Sequence, residues 1–282
     1  MNSNDELISK LNDSDWKVRV KAVYDSRNCD DPQVLKQLIN LLNDNDEHVW
    51  ITVANCLKNK LNDVIISFFI SNLKNKNSEI RRHAAYLAGE LVLKDSYMVL
   101  LDLLCDDNAD VRANAARALG RIGDEKAVLS LIDLLDDPEP LVRKEAISSL
   151  NKLSPSKPVS ALIKSLNDDD KRVRRLSVIH IGNTYASEAF DSLIGVLNDK
   201  DNIVRVSAVN ALGRIGGNRS VDPLIKALND PYWEVRSDAA DALGRIGNSD
   251  SIIPLLERLN DENNFVRRSA MKALNNFDIF KK

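Results

Sequence analysis

Apolar positions along this chain fall into two alternating blocks. The first is a pair of bulky residues four apart: Leu7 and Leu11, Leu38 and Leu42, Phe69 and Leu73, Leu100 and Leu104, Leu131 and Leu135. The series continues as Leu162 and Leu166, Leu193 and Leu197, Leu224 and Leu228, Leu255 and Leu259. A spacing of four places each pair on one helical face. The second block is a longer stripe, as in Val111, Ala115, Leu119 and Ile122, which predicts a second amphipathic helix. A short polar turn joins the two. No segment shows the period-two alternation of a half-buried strand, so the reading is all-α.

Both blocks recur every 31 residues without insertion or deletion. Each second helix opens on a marker step, numbered as positions 0 and +1: Val18-Arg19, Val49-Trp50, Ile80-Arg81, Val111-Arg112, Val142-Arg143, Val173-Arg174, Val204-Arg205, Val235-Arg236 and Val266-Arg267. Nine copies account for 279 of the 282 residues. Such a period predicts an α-solenoid, in which one helix-turn-helix unit stacks on its own copies. The expected architecture is a right-handed superhelix of nine repeats forming one domain over 1–282, divergent over 1–93 and more regular over 94–282.

The turn carries Asp at −5 in eight repeats, with Asn75 in the third. Asp or Asn at −3 reads as the N-cap of the second helix, with Glu139 and Tyr232 as exceptions. Small residues at +4 and glycines at +9 sit where a neighbouring repeat would pack. Gly123, Gly216 and Gly247 at +12 are expected to end their helices as left-handed C-caps.

The strings DDNADVRANAARALGRIGDEKAVLSLIDLL (106–135) and DPYWEVRSDAADALGRIGNSDSIIPLLERL (230–259) closely resemble HEAT-like repeats of the phycobilin-lyase type, an armadillo-type fold. The resemblance is specific in repeats 4, 7 and 8 and weak in 1 to 3. It implies a structural ladder of ion pairs between the turn Asp and the Arg of the marker step: Asp106 with Arg112, Asp137 with Arg143, Asp168 with Arg174, Asp199 with Arg205, Asp230 with Arg236, and Asp261 with Arg267. On that pairing, Trp50 leaves Asp44 without its Arg. It also implies that second helices line the concave face. Deoxyhypusine hydroxylases of the same family bind two irons through paired His-Glu motifs, but His48, His83 and His180 are not followed by Glu. No metal and no cofactor are expected.

Composition narrows the function. A net charge of −3 and a pI near 5.7 argue against a nucleic-acid binder. The polar, acidic start MNSNDELISK is neither a signal nor a transit peptide, and the apolar run around Val64 to Ile70 is too short to cross a membrane. Cys29, Cys56 and Cys105 lack metal or disulfide spacing and read as reduced thiols in a cytoplasmic protein. No spare loop is available to carry catalytic groups.

Specificity should therefore lie in what does not repeat. Helical geometry turns +2, +3, +6 and +10 of the second helix away from the core. The candidate partner-binding residues on that face are Ile51, Arg82, His83, Tyr86, Arg117, Arg121, Lys144, Lys152, Arg175, Leu176 and Ile179, with Arg172 and Trp233 at helix entrances. Tyr, Trp and Arg are enriched at interface hot spots. The expected function is a non-catalytic scaffold holding a protein or peptide. The alternatives are a phycobilin-lyase-like enzyme or chromophore chaperone, and a nucleic-acid-binding solenoid.

Overall fold

The computed structural model describes residues 3–58, 60, 63–153 and 158–277; the outermost ends of the expected domain, 1–2 and 278–282, lie outside them. All regular structure among the described residues is helical. Two compact units are present, 1–130 and 131–282.

In the first unit the helix pairs are α1 (Ser3–Leu11) with α2 (Trp16–Asp25), α3 (Pro32–Asn40) with α4 (Glu47–Leu57), α5 (Asp63–Leu73) with α6 (Ser78–Glu90), and α7 (Tyr97–Asp102) with α8 (Ala109–Ile122). The unit boundary falls inside α9 (Val128–Asp133), whose partner is α10 (Pro140–Leu153). The second unit continues with α11 (Val159–Ser165) and α12 (Lys171–Thr184), α13 (Phe190–Val196) and α14 (Asn202–Ile215), α15 (Val221–Ala227) and α16 (Trp233–Ile246), and α17 (Ile252–Glu257) and α18 (Asn264–Asn275).

The apolar seam forms the core. Leu38, Leu100, Leu131, Leu162, Leu193, Leu224 and Leu255 are fully buried, and Leu7 is half-buried. Each such side chain contributes on the order of 1.5–3 kcal/mol by leaving water. Second helices run side by side within each unit, α2 on α4, α6 on α8, and α10 through α12, α14 and α16 to α18. Small residues allow the tightest crossings. A Cβ on Gly244 would stand 2.6 Å from the Ala273 backbone, and one on Gly89 would stand 2.8 Å from that of Ala118. α4 and α6 do not approach in this way, and Trp50 lies between them.

The turns follow one design. In all nine repeats the −5 side chain accepts the backbone N–H at −3, as Asp168 does from Asp170 at 2.9 Å and Asn75 from Asn77 at 2.9 Å. The −3 side chain then caps the second helix in seven repeats, for example Asn108 accepting from Asp110 and Val111. At the other end, Gly123 (φ 84°) and Gly247 (φ 71°) adopt the left-handed cap. Gly216 does not: its φ is −89°, and the positive φ falls on Gly217 at 49°. The chain there enters a turn over Gly217–Ser220 in which the Ser220 hydroxyl donates to the Leu212 carbonyl, so the reversal comes one residue later.

Candidate functional site

The marker Arg at +1 lies one turn into the second helix, close enough to reach back over its own turn. Its Nη1 donates to the backbone carbonyls at −5 and −4: Arg174 reaches Asp168 O at 2.8 Å and Asp169 O at 3.0 Å. That leaves the Nε–Nη2 edge facing the next repeat. Arg174 places Nε 2.6 Å from Asp199 Oδ2 and Nη2 2.8 Å from Oδ1. The same two-pronged contact joins Arg19 to Asp44 and Arg81 to Asp106 in the first unit. In the second unit it joins Arg143 to Asp168, Arg205 to Asp230 and Arg236 to Asp261.

This corrects the pairing expected within repeats. Arg143 does not fork onto the Asp137 carboxylate, Arg174 onto that of Asp168, Arg205 onto that of Asp199, or Arg236 onto that of Asp230. Each takes the backbone carbonyl of its own Asp and the carboxylate of the next repeat. Arg112 and Arg267 likewise donate to the Asp106 and Asp261 carbonyls. The reason is steric and directional: the Asp carboxylate is turned to cap its own loop, and a planar guanidinium has enough donors to serve two partners at once. Asp44 is therefore not orphaned by Trp50, because Arg19 holds it. The turn that faces Trp50 one repeat on is the one carrying Asn75.

Charge balance reflects these contacts. Burial alone would push the carboxyls of Asp106, Asp199 and Asp261 up, but Arg81, Arg174 and Arg236 together with backbone amides hold them below the usual carboxylate value. The arginines concerned are shifted upward by the same hydrogen bonds.

The candidate partner-binding residues separate into groups. In the first unit, Arg82 is tied to Glu79 at 2.7 Å and lies against His83 Nε2 at 2.9 Å, and Arg121 is paired with Glu90. His83 and Tyr86 both pack on Trp50, with ring centroids 4.7 Å and 5.4 Å away. Burial, then the neighbouring Arg82, holds the His83 imidazole below its ordinary pKa. Ile51 and Arg117 are half-buried.

In the second unit, Lys144 pairs with the buried Glu145 at 3.0 Å, and Arg172 with its own N-cap Asp170 at 2.8 Å. The Arg172 hydrogen bond, with backbone amides, holds Asp170 at about 2. Arg175 and Lys152 are exposed, whereas Leu176 and Ile179 are half-buried rather than exposed. Arg82, Arg121, Lys144 and Arg172 are thus each committed to a nearby acid.

Sequence reasoning missed most of a groove between α16 and α18. Trp233, 36% exposed, stacks on Phe265, 51% exposed, with centroids 5.0 Å apart and planes 25° from parallel. Arg268, Lys272, Ser237, Asp241 and Ser269 line the same space, which is about 470 Å³. Trp16 stacks on His48 in the same register of repeats 1 and 2, at 4.8 Å. Both pairs lie 32 residues apart in sequence, one period plus one, so the juxtaposition was readable from the repeat itself.

Paired helices in register, cross-linked by an Arg–Asp ladder and free of strands among the described residues, define an all-α solenoid. The chain belongs to the HEAT-repeat family, whose model matches residues 4–65, 66–151, 159–240 and 221–278. Similar solved structures include that of Escherichia coli YibA, 22% identical over 90% of this chain and 95% of that one, with a TM-score of 0.69. An engineered protein is 21% identical over 96% and 88%, with a TM-score of 0.57. A chain from the structure of Kap95p with RanGDP is 13% identical over 98% of this chain and 45% of that one, with a TM-score of 0.68. At these identities the likeness is one of fold. No curated protein matches the chain.

Proposed function

We propose that this protein is a non-catalytic scaffold that holds a protein or peptide partner on the faces of its second helices. One observation carries the reading: in the α16–α18 groove a stacked tryptophan–phenylalanine pair stays exposed beside two cations, while the residues that repeat are consumed by the seam, the caps and the ladder. Rigid aromatics with an adjacent Arg are the composition of interface hot spots, where a few large side chains supply most of the binding energy. Kap95p, whose structure includes a similar solenoid, binds RanGDP, which is in keeping with a partner-holding role for such folds.

The test is photo-crosslinking from two positions. A benzoylphenylalanine at 265 should capture one discrete partner in extracts of the native cell. The same group at 129, where Leu129 is 76% exposed on α9, should not. Equal capture from both positions, or from neither, contradicts the reading.

A further inference from the structure

We infer that a notch beside Trp50 in the first unit binds the guanidinium group of an arginine carried by a partner polypeptide. The inference deepens the scaffold reading and rests on it. Wherever +1 is Arg, its Nη1 donates to the carbonyl at −5, and in most repeats also to that at −4: Arg19 to Asp13 and Ser14, Arg81 to Asn75 and Lys76, Arg112 to Asp106 and Asp107. Repeat 2 has Trp50 instead, and no side chain among the described residues donates to the carbonyls of Asp44 and Asn45.

The indole does not fill the slot. Trp50 is 5% exposed and packs on His83 and Tyr86 of the next repeat. A cavity of about 610 Å³ opens between the turn of repeat 2 and the start of α6. Asp44, Asn45, Trp50 and His83 line it, together with the acids Asp46, Glu47 and Glu79 and the cation Arg82.

These are the features a guanidinium meets in the ladder, now offered to a guest. The repeat-2 turn carries the same Asp–amide cap as the others, so the Asp44 and Asn45 carbonyls are the equivalents of those that Nη1 engages elsewhere in the chain. The half-buried His83 ring and the nearly buried Trp50 line the same cavity, where a weakly hydrated planar cation packs on ring carbon more readily than an ammonium does. The charge also fits. Arg19 is committed to Asp44, Arg82 to Glu79 and Asp46 to His48, which leaves Glu47 as the carboxylate offered to a guest cation. A lysine ammonium supplies the same charge but lacks the flat fork that spans two carbonyls while stacking. A neutral urea side chain supplies the shape without the charge.

The experiment uses the full chain and a pentapeptide, acetyl-Gly-Gly-Arg-Gly-Gly-amide, labelled with ¹⁵N at arginine. The Arg Nε–H resonance should shift saturably as protein is added. Unlabelled arginine peptide should reverse the shift, and its citrulline counterpart should be about tenfold or more weaker as a competitor, since charge-assisted bonds are lost. Trp50→Arg with Asn75→Asp fills the slot with the chain's own guanidinium, and this variant should leave the peptide resonance unmoved. A second variant, Glu47→Gln, alters only an exposed side chain and should weaken binding severalfold, so the notch stays open to refutation even if the double variant folds poorly. Equal competition by citrulline, or unchanged binding by the folded double variant or by Glu47→Gln, overturns the notch. Partner capture at position 265 is read separately, so losing the notch and losing the scaffold reading are distinct outcomes.

Discussion

Trp50 and Asn75, 25 residues apart, are the two halves of one missing rung. The rungs formed by Arg19, Arg81, Arg143, Arg174, Arg205 and Arg236 each join a +1 Arg to the −5 Asp of the next repeat across that same interval. Where the Arg is replaced, the facing Asp has lost its charge too, and Asn75 keeps only the loop-capping half of its role. A lone carboxylate at 75 would be partly buried without a counter-ion, and a lone guanidinium at 50 would lack its acid. A double-mutant cycle on Trp50→Arg and Asn75→Asp should therefore give favourable coupling of about 0.5–3 kcal/mol. Additive effects would mean that the two departures are unrelated.

The cross-repeat pairing makes otherwise equivalent aspartates unequal. Asp13 and Asp199 both accept the amide two residues on, but only Asp199 also receives an Arg fork, from Arg174, whose side chain is 5% exposed. Asp199→Ala leaves that guanidinium buried and unpaired, which costs about 3–5 kcal/mol. Asp13→Ala removes a turn contact worth about 0.5–2 kcal/mol. Denaturant unfolding of the two variants should separate them clearly, and equal losses would argue that the fork adds nothing.

The ladder also sets a pH dependence. Asp106, Asp199 and Asp261 titrate below their ordinary value of 3.8 in the folded chain. Between the folded and unfolded values the unfolded chain binds more protons, so this stability is present above the unfolded value and is lost as pH falls through the folded one. Thermal midpoints should fall steeply from about pH 4 downward, and Asp199→Asn should show a shallower acid limb than the parent. Parallel acid limbs would contradict the assignment.

Close helix approach in the second unit depends on Gly244. A Cβ there would meet Ala273 backbone at 2.6 Å, and backbone cannot rotate aside. Gly244→Val should cost about 1–3 kcal/mol or more by overpacking and push α18 outward. Hydrogen exchange across 264–275 should accelerate while that of α12 stays unchanged, because repeats respond mainly through their neighbours. Uniform acceleration across the unit would show that the damage is not local.

Most of the scaffold was legible because it repeats. The period located the helices, the −3 caps and the apolar pairs, since each is fixed by residues close in sequence. The ladder pairing implied by the resemblance kept both partners in one repeat, as Asp106 with Arg112, whereas Arg112 sends Nη1 to the backbone carbonyls of its own turn. The clue was present in the matched exceptions, Trp50 and Asn75. The commitments of the candidate cations were hidden for a different reason: ion pairs such as Lys144–Glu145 and Arg172–Asp170 depend on side-chain direction, which position in the repeat does not reveal. Phe265 was overlooked because residues were weighed one repeat at a time, whereas its stacking on Trp233 joins two entrances one period plus one residue apart.

The central claim is that binding resides in non-repeating side chains of the second helices. Titration calorimetry of the crosslinked partner, once purified, tests it against two variants. Trp233→Ala with Phe265→Ala should weaken binding by about tenfold or more, as loss of an aromatic hot spot does. Met98→Ser with Leu129→Ser, on exposed first-helix positions, should leave the affinity within about twofold of the parent. Full affinity in the groove variant, or loss confined to the first-helix variant, would contradict the account.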